Sequence, residues 1–471
     1  MRILLVNPPF EERYSVGGSR SIRRVLNIIS PLGLAYLAAV LEKNKFSVKI
    51  IDCTISISYR QLFKSILEEN PEVVGITATT SSFESAKFVA RHIKEILPGG
   101  IIIIGGAHIT AMPEATLKTD CFDIGVLGEA EETFLELVRH IEAYRLRRLD
   151  TVKGIAFKSG DDIINTGRRE FIHDLDRLPL PARHLLPPLK KYHPTPASYK
   201  RLPLGVLITS RGCPCQCIFC DRAIFGNITR LRGVDNVLDE VEELIYKYGA
   251  REIRFFDDLF TLDIGRTYKI CEGLQRRKLH VPWTCLTGAN FVTKDLLKTM
   301  KSAGCWQVLY GLESADSRML KSLNKGNTLE QNIRAVRWAQ KVGLNVRADF
   351  IVGVPGDTLE NMERTLKFAI NMKLDYAHFN KFVPFPGTAI YKTLINQGYK
   401  FDFAKPCSIL DHATLMYVSE GVAKIEYMNF LNYAFKKFYL RPHYILNRLI
   451  SIRTWDEFKG QVNGLLAIMG L

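Results

Sequence analysis

No apolar run in these 471 residues is long enough to span a bilayer; the longest candidates, such as Ile101 to Ile104, are short and stop at Gly105-Gly106. The opening segment, Met1-Arg2-Ile3-Leu4-Leu5-Val6-Asn7-Pro8-Pro9, lacks the extended hydrophobic region and cleavage site of a secretory signal, so a cytoplasmic protein is expected. Cysteine is too sparse, at ten, for a disulfide scaffold. Seven of the ten (Cys53, Cys121, Cys215, Cys271, Cys285, Cys305 and Cys407) fall in no ligand pattern, so reduced thiols are expected. No G-x-G-x-x-G follows the first apolar strand, which counts against a dinucleotide. Acidic residues are in deficit, giving a formal charge of +15. Charge alone does not choose between nucleic acid, an anionic membrane face and an acidic small molecule. An apolar fraction of 47% with ordinary Gly and Pro usage describes a globular chain, and its length calls for two or three domains.

The other three cysteines, Cys213, Cys217 and Cys220, stand in Arg211-Gly212-Cys213-Pro214-Cys215-Gln216-Cys217-Ile218-Phe219-Cys220 with the spacing C-x3-C-x2-C. Three thiolates on one short loop can ligate three irons of a [4Fe–4S] cube and leave the fourth iron open. With Cys215 added, a closed four-cysteine zinc site is the rival reading, although zinc knuckles prefer two cysteine pairs set well apart. Cys215 reads as a spectator thiol by default.

The spacing, the preceding apolar strand Leu204 to Thr209 and the Arg211-Gly212 lead-in resemble the radical S-adenosylmethionine (SAM) superfamily. The resemblance implies that the open iron chelates SAM and that an electron from the cluster cleaves it to a 5'-deoxyadenosyl radical. It also implies a low-potential electron donor of the flavodoxin or ferredoxin type.

The first 141 residues alternate β-branched runs with amphipathic stretches, the pattern of a Rossmann-like, doubly wound α/β sheet. Predicted strands are Arg2 to Val6, Ser47 to Ile51, Val73 to Thr77, Ile101 to Ile104 and Phe122 to Leu127. Phe83, Ala86, Val89, Ala90, Ile93 and Ile96 mark one face of a helix. Small or hydroxylated residues cluster after the strands: Thr77, Thr79 and Ser81; Gly105, Gly106 and His108; Gly128 and Glu129. With Pro31 to Leu37 opening the first helix, this set resembles the cobalamin-binding domain fused to many radical SAM enzymes. No D-x-H-x-x-G follows the first strand, so the resemblance implies cobalamin without a histidine ligand. The plainer reading makes Gly105-Gly106 and His108 a tight turn and helix cap in a domain that binds nothing or a nucleotide.

Residues 142–203 read as a connector containing a hairpin, Gly154 to Phe157 and Ile163 to Gly167, and a proline-marked boundary at Leu178-Pro179-Leu180-Pro181. Residues 204–390 hold six further strand–helix units, which suggest an incomplete (β/α)6 barrel with its site at the carboxyl rim. Asp257-Asp258, Glu313-Ser314 and Gly353 end the second, fourth and fifth of these strands and should converge on the cysteine loop. The resemblance assigns them to SAM: the Asp pair to the methionine amino group, Glu313 and Ser314 along the ribose. Each acid could instead cap the following helix, and Gly353 could be only a turn. Residues 391–471 form a helical extension in which Ile425, Met428, Leu431, Phe435 and Phe438 define an apolar face; it reads as a lid or packing helix, with peripheral membrane contact left open.

The expected protein is therefore a cobalamin-dependent radical SAM enzyme that methylates an unactivated carbon of a small-molecule or lipid-like substrate. A radical cyclase resembling the anaerobic cyclase of chlorophyll biosynthesis is the nearest alternative. A tRNA methylthiotransferase is another, but that family carries three further cluster cysteines ahead of the barrel. Here only Cys53 and Cys121 occur there, and no RNA-binding module follows, so no nucleic acid partner is expected.

Overall fold

A computed structural model describes residues 1–9, 26–55, 57–405, 407–409 and 414–469. The first unit is a seven-stranded sheet in the order β2-β1-β3-β4-β5-β6-β7. Its strands are β1 (Arg2–Asn7), β2 (Ser47–Asp52), β3 (Val73–Thr77), β4 (Ile101–Gly105), β5 (Ile124–Val126), β6 (Ile155–Ser159) and β7 (Asp162–Asn165). The first five pair in parallel and helices cover both faces, so both faces must be apolar: Ile101 to Ile104 are all buried. The helix Phe83–Ile96 buries Phe83, Ala86, Val89, Ala90 and Ile93, the face that periodicity predicts. The hairpin expected inside the connector is not free-standing. It is β6 and β7, added antiparallel to β5 as the edge of this sheet. Chain order reverses between β1 and β3, the crevice where open α/β sheets bind ligands.

The second unit is a six-stranded parallel sheet in the order β15-β14-β13-β12-β11-β8. It comprises β8 (Leu204–Leu207), β11 (Glu252–Phe255), β12 (Trp283–Thr287), β13 (Cys305–Glu313), β14 (Asn345–Val352) and β15 (Tyr376–Lys381). A small antiparallel pair, β9 (Ser210–Arg211) with β10 (Arg230–Leu231), brackets the cysteine loop. The large sheet curls. The Trp306 indole N–H on β13 donates to Glu252 Oε1 on β11 at 2.8 Å, across the intervening β12, where flat neighbours would stand about 10 Å apart. Within the described residues β8 and β15 do not pair, so the barrel is incomplete as expected.

The carboxyl-terminal helix Lys424–Tyr439 buries Tyr427, Phe430, Leu431, Ala434 and Phe438, whereas Ile425 is 62% exposed. The buried face is thus rotated from the one predicted. The cause is Tyr427, whose hydroxyl donates to Val352 O at 2.5 Å and accepts from Phe382 N at 3.1 Å, joining the ends of β14 and β15. The helix packs into the helix-facing core as a packing element, not a lid. The last helix, Trp455–Met469, reaches the opposite end of the barrel, where Gln461 Nε2 donates to the Tyr376 hydroxyl at 2.9 Å.

Tyr427 also explains Gly353, which has φ +78°; a Cβ there would lie 2.2 Å from the tyrosine Cζ. Two substitutions test this lock by urea denaturation. Tyr427→Phe removes two hydrogen bonds, although Phe382 N still donates to Val352 O at 3.0 Å, and should cost about 1 kcal/mol. Gly353→Ala should cost at least about 1–3 kcal/mol from overpacking.

Candidate active site

The cysteine loop leaves the sheet through Gly212, whose φ of +87° and missing side chain are obligatory: a Cβ would sit 2.3 Å from Ile228 O. Backbone and side-chain bonds then fix the loop's course. Ile218 N donates to Leu323 O at 3.1 Å, Asn324 Nδ2 to Gln216 O at 2.9 Å, and Arg222 Nη1 to Cys215 O at 2.6 Å. Cys217 is buried, Cys213 and Cys215 are half-buried, and Cys220 is exposed at the edge. Burial raises the Cys217 thiol, while the nearby Lys325 ammonium pulls it back. The rim desolvates the Cys220 sulfur and pushes it up to about 12, with Asp258, Cys217 and Cys213 adding to the effect. The thiols therefore share one electrostatic neighbourhood. Among the described residues no three His, Cys, Asp or Glu side chains close on a single ion-sized point, as a tetrahedral zinc site would require. A cube presenting separate irons to each thiolate suits this looser set.

The Asp pair divides its labour. Asp257 is buried, and its Oδ1 accepts from Thr209 N at 3.0 Å, Thr209 Oγ1 at 2.9 Å and Ser210 Oγ at 2.5 Å, anchoring the segment that leads into the loop. Asp258 is exposed and its charge reaches Cys220, so it is the carboxylate open to a ligand. Glu313 sits at a register shift between β13 and β14 with φ +59°, a left-handed strain uncommon for a non-glycine residue. Its Oε1 pairs with Lys325 Nζ at 2.6 Å. Burial raises the Glu313 carboxyl and Lys325 opposes it. Gly311 makes room for the pair, since a Cβ there would lie 2.5 Å from Glu313 Oε1. Ser314 turns inward: its hydroxyl accepts from Asp316 N at 3.1 Å and lies 3.5 Å from Thr365 Oγ1. Lys325, held between Asn324 (φ +50°) and Gly326 (φ +77°), is the rim residue that the sequence analysis missed. The Asn-Lys-Gly run was its available signal, a turn that aims one side chain.

In the first unit, Thr79 is exposed, Thr77 and Ser81 are half-buried, and the Thr79 hydroxyl lies 3.1 Å from Ser81 Oγ. Among the described residues, a Cβ on Gly33, Gly105 or Gly128 would meet nothing within 4 Å, which leaves space beside the first helix and these strand ends. That space fits the approach of a bulky cofactor. Gly106 is different: its φ is +99° and a Cβ would lie 2.7 Å from Ala78 O, so it serves the turn. Two expected cobalamin contacts are corrected. His108 is buried, stacked on Phe83 with centroids 3.8 Å apart, and its Nδ1 lies 3.2 Å from Thr80 Oγ1. Burial, helped by Lys87, lowers its pKa to about 4, so it packs as a neutral ring.

Glu129 is the second correction, because both of its oxygens are already taken. Oε1 pairs with Arg211 Nη1 at 3.0 Å; Oε2 pairs with Arg230 Nη1 at 2.7 Å and accepts from Ile172 N at 3.0 Å. Glu131 adds a contact to Arg211 Nη2 at 2.5 Å. All four side chains are 7% exposed or less. Arg211 and Arg230 belong to β9 and β10, the pair that launches the cysteine loop, while both acids follow β5. The network therefore ties the carboxyl end of the first sheet to the root of the loop. Tyr36, from the helix Leu32–Lys43, packs with Leu32, Leu204 and Val206 in the apolar part of the same contact.

Comparison with known proteins agrees with this arrangement. Residues 21–138 match the B12 binding domain and residues 207–369 the radical SAM superfamily. An uncharacterized methyltransferase of Pyrococcus horikoshii is 36% identical over 99% of this chain and 98% of that protein. The chain belongs to the cobalamin-dependent radical SAM methyltransferase family. It is thus an enzyme of a family whose cofactors are cobalamin, a [4Fe–4S] cluster and SAM. The anaerobic magnesium-protoporphyrin IX monomethyl ester cyclase of Cereibacter sphaeroides is 30% identical over 86% of this chain and 65% of its own length. Among solved structures, the methyltransferase TsrM of Kitasatospora setae superposes with a TM-score of 0.73 at 18% identity, covering 100% of this chain and 99% of that one. OxsB does so with a TM-score of 0.72 at 18% identity, covering 99% and 72%. These two likenesses establish the shared fold.

Glu129→Gln tests the network. Removing a buried charge that faces two guanidiniums should cost about 3–5 kcal/mol in chemical denaturation. Limited proteolysis should then cut first between residues 166 and 203.

Proposed function

We propose that this enzyme is a C-methyltransferase acting on an unactivated carbon of a small-molecule or lipid-like substrate. The observation that carries the reading is the buried Glu129/Glu131–Arg211/Arg230 network, which ties the carboxyl end of β5 to the strand pair bracketing the cysteine loop. A methyl carrier on one sheet and a hydrogen-abstracting centre on the other must reach the same carbon. When bound, the reduced cluster supplies the electron that cleaves SAM, and cobalamin supplies the methyl group.

The chain's own residues position and compensate. Cys213, Cys217 and Cys220 would hold the cluster after giving up their protons, and the half-buried Lys325 ammonium beside Cys217 offsets part of that negative charge. Asp258 is the free acceptor for the ammonium of SAM. Glu313, whose Oε1 is held by Lys325, would have its other oxygen left to accept from the ribose. Gly353 and Ser314 shape the rim through backbone and turn contacts rather than through free polar groups. On the opposite side, Thr77, Thr79, Ser81, Gly105 and Gly128 would line the cobalamin. Residues 1–141 with the hairpin of β6 and β7 form the carrier domain, 204–390 the barrel and 391–471 its helical buttress. The electron donor would be a flavodoxin or ferredoxin of a reducing cytoplasm. No helix among the described residues is long and apolar enough to cross a membrane.

Anaerobic reconstitution with iron, sulfide, cobalamin and methyl-labelled SAM tests the proposal. The expected products are 5'-deoxyadenosine and a substrate that has gained one labelled carbon; a cyclase would add none. Cys217→Ala should lose the cluster absorbance and reduce SAM cleavage to background. Cys215→Ala should retain both, and equal retention by the two variants would refute the ligand assignment.

A further inference from the structure

The interior of the curled sheet carries charges for which the cofactors have no use. Val346, Ala348, Phe350 and Val352 of β14 lie in the helix-facing core, so alternation sends Arg347 and Asp349 into the lumen. By the same rule Ala377 and Phe379 turn His378 inward on β15, Ile253 and Phe255 turn Arg254 inward on β11, and Trp283 and Cys285 turn Thr284 inward on β12. Three of these groups meet. Arg347 donates from Nη2 to His378 Nδ1 at 3.0 Å, and Asp349 Oδ1 lies 3.6 Å from Arg347 Nε and 3.5 Å from His378 Nδ1. Arg347 Nη1 also donates to Ser198 Oγ at 2.7 Å, so this side chain is held from below.

Arg254 has no such company. Its guanidinium lies 5.0 Å over the Phe256 ring and makes no hydrogen bond or ion pair with any described residue. The residue is half-buried, so its donors open to the lumen rather than being sealed in packing. The neighbouring charges do not cancel it. Asp349 stands nearer to Arg347 and His378 and forms no ion pair with Arg254. His378 accepts from Arg347, and burial, then Arg347, lowers its pKa to about 3, leaving it neutral. Glu252, deeper in the lumen, is saturated by Lys200 N, Arg201 N and Trp306 Nε1, and burial pushes its carboxyl up to about 7. Arg347 Nε, Thr284 Oγ1 and Asp349 Oδ1 are buried without a hydrogen-bond partner. A guanidinium inside a protein, stripped of most of its water and given no partner, is costly, and its fork of donors matches a carboxylate or phosphoryl group.

We propose that Arg254, assisted by Arg347 and the Thr284 hydroxyl, seats an oxyanion of the substrate inside the barrel. This rests on the proposed function and narrows it: the substrate is a small acid, carrying a carboxylate or a phosphoryl group some distance from the carbon that reacts at the rim. A neutral lipid does not satisfy the site.

The test is an NMR titration of the reconstituted full chain with two probes, methylphosphonate and acetate. Saturable binding of at least one probe to the wild type is expected, and the probe that binds more tightly identifies the group as phosphoryl or carboxylate. Arg254→Gln should weaken that binding at least about tenfold. Arg254→Lys, which keeps the charge and loses the fork, should weaken it by a smaller factor and serves if the glutamine variant does not fold. Failure of the wild type to bind either probe, or unchanged binding in the folded Arg254 variants, overturns the proposal. Failure of the function reading would appear separately, as no 5'-deoxyadenosine from the wild type with SAM and a reductant.

Discussion

Two acids that follow one strand, Glu129 and Glu131, and two arginines that flank one loop, Arg211 and Arg230, hold this molecule in its working form. Taking such charges out of water costs several kcal/mol per ion unless the geometry returns it, so a buried network of this kind is poor evidence of stability for its own sake. What it supplies is position. An apolar interface between two sheets tolerates small slides and rotations, but a carboxylate bonded to two guanidiniums and a backbone amide does not. The contact of Leu32 and Tyr36 with Leu204 and Val206 provides burial, and the ionic network fixes its register.

The network lies at the root of the cysteine loop, so it fixes the first sheet against the segment that leads to the thiols. Arg211 stands two residues before Cys213, and Gly212 between them has no conformational slack, since its Cβ position is filled by Ile228 O. Asp257 reinforces the same segment from the other side through Thr209 and Ser210. The loop is thus a rigid extension of both sheets, although it contains little secondary structure of its own. This is the preorganisation that a site needs when its cofactors carry out the chemistry and its protein sets the distances.

Much of this was legible in the sequence, and the reasons differ between elements. Strands of both sheets are buried on two faces, which forces continuous apolar runs, so the five strands predicted for the first sheet, and Leu204 to Thr209 in the second, all fall within about two residues of their observed positions. The cysteine spacing is a local signature and needed no tertiary information. The assignments that changed all depended on partners distant in the chain. Glu129 looked like a ligand contact because nothing near it in sequence announces arginines 82 and 101 residues away. His108 looked like a cofactor residue until Phe83 covered it, and the hairpin of β6 and β7 looked like a linker because its pairing with β5 is nonlocal. The apolar face of helix Lys424–Tyr439 was read by hydrophobicity, whereas a tyrosine hydroxyl bonded to two strands sets its actual rotation.

Lys325 links the cysteine loop to the acidic rim. A cluster on three thiolates is anionic, and the rim already holds Asp258 and Glu313; without a cation the site would oppose the deprotonation that metal binding requires. Burial alone would lower the Lys325 ammonium, but Glu313 and the Cys217 thiol outweigh it and hold it above its usual value, so the charge is present where the thiolates form. Gly311 is small because this pair occupies the space a side chain would take, and Asn324 and Gly326 adopt left-handed backbone to aim the lysine inward. A residue absent from the motif therefore makes the motif workable. Deeper in the lumen Arg254 follows the opposite logic: among the described residues its guanidinium has no hydrogen-bond or ion-pair partner, and it is the group proposed above to meet an oxyanion of the substrate.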